Sequence, residues 1–179
     1  MLTLPSGNGQ PIKTKMTKQH HYRATITWTG NRGTGTSGYQ SYDRDHTIAV
    51  ENKAPILASA DPAFRGDPGR HNPEELFLSA LSGCHMLWYL HLCADQGIIV
   101  TGYQDQASGT MGETGDKGGH FTEVTLRPRV TITDESQADL ALALHGEANK
   151  KCFIANSCNF PVLHLPTCLV AEPGWPGPA

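Results

Sequence analysis

The stretch Asn72-Pro73-Glu74-Glu75-Leu76-Phe77-Leu78-Ser79-Ala80-Leu81-Ser82-Gly83-Cys84 leaves little choice of local structure. Asn72 is a strong N-cap, Pro73 suits the first helical position, and Glu75 completes a capping-box start. Leu76, Phe77, Ala80, Leu81, Cys84, Leu87, Trp88 and His91 recur at spacings of three and four, and Gly97 suits the stop. These signals predict one helix of about 24 residues, about 36 Å long at 1.5 Å per residue. From Leu76 to Leu92 it is apolar on nearly every face, so protein must surround it. One 179-residue chain with two short hairpins has little material to do so. The expectation is a homodimer.

The remaining pattern is hairpins and one more helix. Tyr22, Ile26 and Trp28 alternate, Gly30-Asn31-Arg32-Gly33 signals a turn, and Thr34 to Tyr42 is read as the returning strand. Asp61-Pro62 through Asp67-Pro68-Gly69 marks a loop. After the long helix, Ile98–Met111 and Phe121–Thr133 form a second hairpin, with Pro128 at an edge or bulge. A second helix starts after Asp134 and carries Leu140, Ala141, Leu144, Ala148 and Cys152 along one face. Pro161–Val170 is a final strand. The order ββ-α-ββ-α-β predicts an α+β domain with antiparallel sheets. Residues 20–172 are expected to form it, with a flexible extension at 1–19 and a frayed tail at 173–179.

The net charge of −3 is spread along the chain, without the basic block that nucleic acid or an anionic membrane surface calls for. No uninterrupted apolar run reaches the roughly 18 residues of a membrane span, and the first twenty residues carry no signal-peptide core. Cys84, Cys93, Cys152, Cys158 and Cys168 are odd in number and irregularly spaced. That pattern predicts free thiols in a reducing compartment, with a cytoplasmic location.

Cys84 and Cys152 each read in two ways. Each can be a small buried hydrophobe, or the two can form a redox couple. An apolar helix face disfavours a thiolate, so a reactive Cys84 needs a cation brought from elsewhere. Glu74 suits the helix dipole, and it precedes Cys84 by about 15 Å along the axis, too far to share a site within one straight helix. A second chain could bring them together. Gly30–Gly35 lacks the following helix and the Lys-Ser/Thr pair of a phosphate loop. Cys84, His85, His91 and Cys93 have the wrong spacing for a compact four-ligand zinc site.

Asn72-Pro73-Glu74-Glu75-Leu76-Phe77 leading to Cys84, Thr29-Gly30-Asn31-Arg32-Gly33 in the first hairpin, and Cys152 near the end of the second helix together resemble the OsmC/Ohr family. These are the osmotically inducible and organic hydroperoxide resistance proteins. The resemblance implies an intertwined α+β homodimer, with antiparallel hairpin sheets around two long central helices and active sites at the subunit interface. By position, Cys84 resembles the peroxidatic cysteine and Cys152 the resolving one. Arg32 resembles the arginine that stabilises the thiolate, with Arg23 and Arg44 as alternatives, and Glu74 the carboxylate that orients it. The implied activity is reduction of organic hydroperoxides, with hydrogen peroxide as a further candidate substrate, an external thiol or dithiol as reductant and no metal, flavin or haem. The family commonly has proline after the second cysteine; Phe153 stands here, which points to a divergent OsmC-like branch. The competing reading is a non-catalytic dimer of this fold that binds an apolar ligand or senses redox state.

Overall fold

The computed structural model describes residues 18–116 and 118–172. Apart from Lys18 and Gln19, the expected extension and tail lie outside the described residues.

Strands β1 (Thr25–Trp28), β2 (His46–Ala49) and β3 (Ile56–Ala58) form an antiparallel sheet in that order. The returning strand is therefore not Thr34–Tyr42. The Gly-, Ser- and Thr-rich segment after Asn31 has no apolar alternation to bury, and it folds as a loop. The Asn31 side chain accepts from the Gly33 and Gly35 N–H groups at 2.8 and 3.0 Å. The loop closes through Asp43 N–H to the Gly30 carbonyl at 2.9 Å and Trp28 Nε1–H to the Asp43 carbonyl at 2.8 Å. A Cβ on Gly30 would lie 2.0 Å from that Asp43 oxygen, so only glycine fits this crossing.

Helix α1 runs over Pro73–Asp95, close to its expected span. The capping box is present: Glu75 N–H donates to Asn72 Oδ1 at 2.8 Å and Asn72 N–H to Glu75 Oε2 at 3.2 Å. Gly97, at φ 70°, lets the chain leave the helix. By length and composition α1 could cross a membrane, a property the uninterrupted-run reading overlooked. Here one stripe of it faces the protein interior: Leu81, His85, Tyr89 and Cys93 are buried at a spacing of four. Leu87, elsewhere on the helix, is 65% exposed.

The expected second hairpin is four strands in two sheets. Strands β4 (Val100–Asp105) and β7 (Pro128–Ile132) pair antiparallel, as do β5 (Ser108–Glu113) and β6 (Gly119–Leu126). The double strand turns from one sheet to the other at Gln106–Ala107 and Arg127. The Asp105 carboxylate holds the corner, accepting from the Arg127 N–H at 2.6 Å and from Ser82 Oγ of α1 at 2.5 Å. Pro128 opens β7, where its missing N–H costs no ladder bond. It begins the middle strand of its sheet rather than an edge.

Helix α2 spans Ala138–Lys151, after a 3₁₀ turn capped by Asp134. The final strand is again divided. Strand β8 (Val162–His164) adds parallel to β6 and β9 (Thr167–Val170) parallel to β7, so both larger sheets are mixed.

Two apolar cores result. One joins Tyr89, Cys93 and Ile98 to Val130, Ile132, Ala141, Leu144 and Ala148. The other joins Leu81, Val124, Leu126 and Cys152. Full burial of a Leu or Val side chain contributes about 1.5–3 kcal/mol. No residue of β1–β3 belongs to either core. Every residue of β1 is exposed, Ile26 at 63%.

Candidate active site

Cys84 leaves α1 toward the second core and is half-buried against it, as are Leu78, Trp88, Phe121 and Phe160. Cys152 is the C-cap of α2 and is fully buried in the same core. The two thiols are neighbours. Burial, and then the Cys84 thiol beside it, push the Cys152 thiol up to about 11, so it stays protonated near neutral pH. The chain turns sharply after Cys152, and the Ala155 N–H points at its Sγ from 3.4 Å. Two cysteines 68 positions apart in the chain thus meet because both helices bury their apolar faces together.

Glu74 is elsewhere. It lies in the first turn of α1, about 15 Å along the axis from Cys84. Glu75 is occupied by the cap, whereas Glu74 Oε2 is buried and has no hydrogen-bond partner among the described residues. Glu74 lines two clefts that share Phe64. One, of about 740 Å³, has Tyr39 and Met111 in its wall, and the other, of about 350 Å³, has Trp28, Tyr42 and Arg44. Neither is lined by Cys84 or Cys152.

The arginines separate clearly. Arg32 donates from Nη2 to the Gln40 carbonyl at 2.7 Å and pairs with Asp43 at 3.5 Å, half exposed, outside both clefts. Arg23 is exposed on β1's approach. Arg44 lines the Glu74 cleft and is sandwiched by Tyr39 and Tyr42, whose ring centres lie 4.3 and 4.2 Å from its guanidinium carbon. It donates to the Tyr42 and Tyr39 carbonyls at 2.6 and 2.8 Å, which leaves three of its five N–H groups uncommitted. One chain therefore holds two half-sites, a dithiol at the middle of α1 and a carboxylate with an arginine at its N-terminal end.

The other thiols are placed apart or differently used. Cys93 and Cys168 belong to the first core, and the Cys158 thiol donates to the Ile154 carbonyl at 3.2 Å. Among the described residues, no group of three or more His, Cys, Asp or Glu side chains is arranged to hold a metal ion.

Sequence reasoning passed over one polar pair. His85 Nε2 and His145 Nδ1 lie 3.0 Å apart, both rings fully buried between α1 and α2. A histidine inside each helix's apolar stripe was the available signal, since two buried imidazoles on packed helices call for each other.

Residues 66–163 match the sequence pattern of the family described as OsmC-like protein. The chain belongs to the OsmC-like family. An OsmC-like protein of unknown function from Vibrio cholerae is 33% identical in sequence, with a TM-score of 0.75 over 83% of this chain and all of that one. An uncharacterized protein of Bacillus subtilis, YmaD, is 28% identical over 145 residues, 77% of this chain and 86% of its own length. An organic hydroperoxide resistance protein from Elizabethkingia anophelis shares the fold, with a TM-score of 0.62 at 17% identity over 87% of this chain and all of that one. The OsmC-like fold and its α+β class are thus as the sequence motifs implied.

Proposed function

We propose that this OsmC-like protein is a thiol-dependent peroxidase that reduces organic hydroperoxides at Cys84. The observation that carries the reading is the contact of two thiols from different helices, one half-buried and one buried, in a single apolar wall. The thiolate of Cys84 attacks the terminal peroxide oxygen, and the O–O bond breaks. With one proton, the leaving alkoxide departs as the alcohol, and Cys84 becomes a sulfenic acid. The Cys152 thiol then condenses with it. Its proton and the sulfenic hydroxyl leave as water, and a Cys84–Cys152 disulfide remains. An external dithiol reduces that disulfide.

The thiolate needs a cation, and the carboxylate of Glu74 needs a donor. A second copy of the chain satisfies both by laying the Glu74–Arg44 half-site of one subunit over the dithiol of the other. The surface for it is the exposed sheet β1–β3, outside both cores, and the Leu87 side of α1. In this reading the cation is Arg44, in place of the Arg32 that the family resemblance nominates. Arg44→Ala is expected to slow the reaction of Cys84 with hydroperoxide by about 10²-fold, as for loss of a donor to a developing anion. Arg32→Ala is expected to slow it less than about threefold, as for an exposed side chain. Stopped-flow kinetics of both variants checks this, and the opposite ranking returns the role to Arg32.

The experiment that tests the reading is peptide mapping by mass spectrometry after one equivalent of cumene hydroperoxide. A Cys84–Cys152 disulfide is expected in the parent, and a trapped Cys84 sulfenic acid in Cys152→Ser. Unmodified Cys84 in both overturns it.

A further inference from the structure

We infer that the buried His85–His145 pair is a positioning element for the disulfide step, setting α2 against α1 so that Cys152 meets Cys84. The inference rests on the redox-couple reading above.

Going along α1 from Cys84 to Tyr89 goes back along α2 from Cys152 to His145, so the two helices run in opposite directions. The seam between them is otherwise made of contacts that tolerate sliding. Ala141, Leu144 and Ala148 of α2 meet α1 through apolar surface, which is attractive in many registers. The imidazole contact is not tolerant. A 3.0 Å bond between Nε2 of one ring and Nδ1 of the other exists in one register only. The rings are parallel to within 7°, and the Tyr89 ring stacks on that of His145 with centroids 3.9 Å apart. A shift of α2 by one residue would leave both rings buried without that bond, a costly state for a polar group sealed from water.

The pair is also placed to matter. It lies where the two apolar cores adjoin: Leu81 and Cys152 are in one, Tyr89 and Ala148 in the other. On α1, His85 directly follows Cys84 in the chain. On α2, His145 precedes Cys152 by two turns and shares its face. Two fixed points, one imidazole pair and one thiol pair, define the position and the rotation of α2. One alone would leave it free to roll. Among the described residues the remaining ring nitrogens, His85 Nδ1 and His145 Nε2, have no partner, so the bond between the rings is the polar contact that holds them.

The test measures position and needs no peroxide. In a glutathione redox buffer, the effective concentration of the Cys84–Cys152 dithiol reports how well the two sulfurs are held together. His145→Leu and His85→Leu are each expected to lower it at least tenfold. An Asn amide stands about where Nδ1 does, and a Gln amide about where Nε2 does. His145→Asn and His85→Gln should therefore stay within about threefold of the parent. Should the leucine variants not fold, the reversed pair, His145→Gln and His85→Asn, serves as the disrupted set. If the pair only stabilised the fold, the disrupted variants would lose unfolding midpoint and keep the parent's effective concentration within twofold, and the inference would be overturned. A parent that forms no Cys84–Cys152 disulfide at any glutathione ratio would instead overturn the redox-couple reading itself.

Discussion

Hydroperoxide consumption by Cys84→Ser is expected to be lower than that of the parent by at least ~10³-fold, because a serine hydroxyl at neutral pH supplies no comparable nucleophile and cannot form the disulfide. The effect should appear in the first turnover. Single-turnover mixing with cumene hydroperoxide, read by residual peroxide, separates it from a slow reduction step. Cys152→Ser should differ in kind, since it completes the first reaction and then stalls with an oxidised Cys84. The contrast matters because each thiol alone has an ordinary structural explanation as a buried small side chain. Turnover that survives in Cys84→Ser would take Cys84 out of the chemistry, and a parent that consumes no hydroperoxide would leave the protein as a non-catalytic member of its fold.

Acid should unfold this protein in a way the His85–His145 pair largely sets. Burial lowers His85 to about 4, helped by His164 and opposed by Asp105. It lowers His145 to about 3, helped by His85 and His164. In the unfolded chain both titrate near 6.5. Below about pH 6.5 the unfolded state therefore takes up protons that the folded state refuses, and stability falls with pH until the folded rings protonate near 3–4. The slope from two such groups is at most about 2.7 kcal/mol per pH unit, so a few kcal/mol are lost across the window. That is a large share of the 5–15 kcal/mol typical of a domain. The groups facing the pair are His164 from β8, Asp105 from β4 and Tyr89 from α1. Urea midpoints at pH 7.5, 6, 5 and 4 measure the loss. The double variant His85→Gln/His145→Asn, which carries no titrating ring at either position, should show a much flatter profile. An unchanged profile would assign the acid sensitivity to the carboxylates.

The sequence spoke most clearly where the signals were local. Asn72, Pro73, Glu75 and Gly97 bound α1 to within a residue because caps act through neighbouring backbone groups. Cys84, Cys152 and Glu74 are nominated by the resemblance of their motifs to the family, whereas the distance between Glu74 and Cys84 follows from helix geometry alone. What was not legible depended on contacts distant in the chain. The loop from Thr29 to Asp45 shows no strand period, and its path is fixed by Gly30 crossing Asp43. The division of each long strand segment between two sheets depends on Asp105 reaching Ser82 and Arg127. Arg44 and Arg32 are indistinguishable by composition; the two tyrosine faces and a shared cleft separate them. His85 and His145 stand 60 positions apart, so neither announces the other.

Strands β8 and β9 complete their sheets from beyond α2 in the chain, each lying parallel to a strand that precedes that helix. During synthesis, then, one sheet cannot acquire its third member until the residues up to His164 have emerged, and the other until those up to Val170 have. Non-local pairing of this kind is slow to close and gains nothing until it does. Cys84 emerges long before Cys152 has a docked helix to end. The nascent chain thus carries an unpartnered thiol while the next 68 residues are made, and only a docked α2 confines that thiol to its intended neighbour.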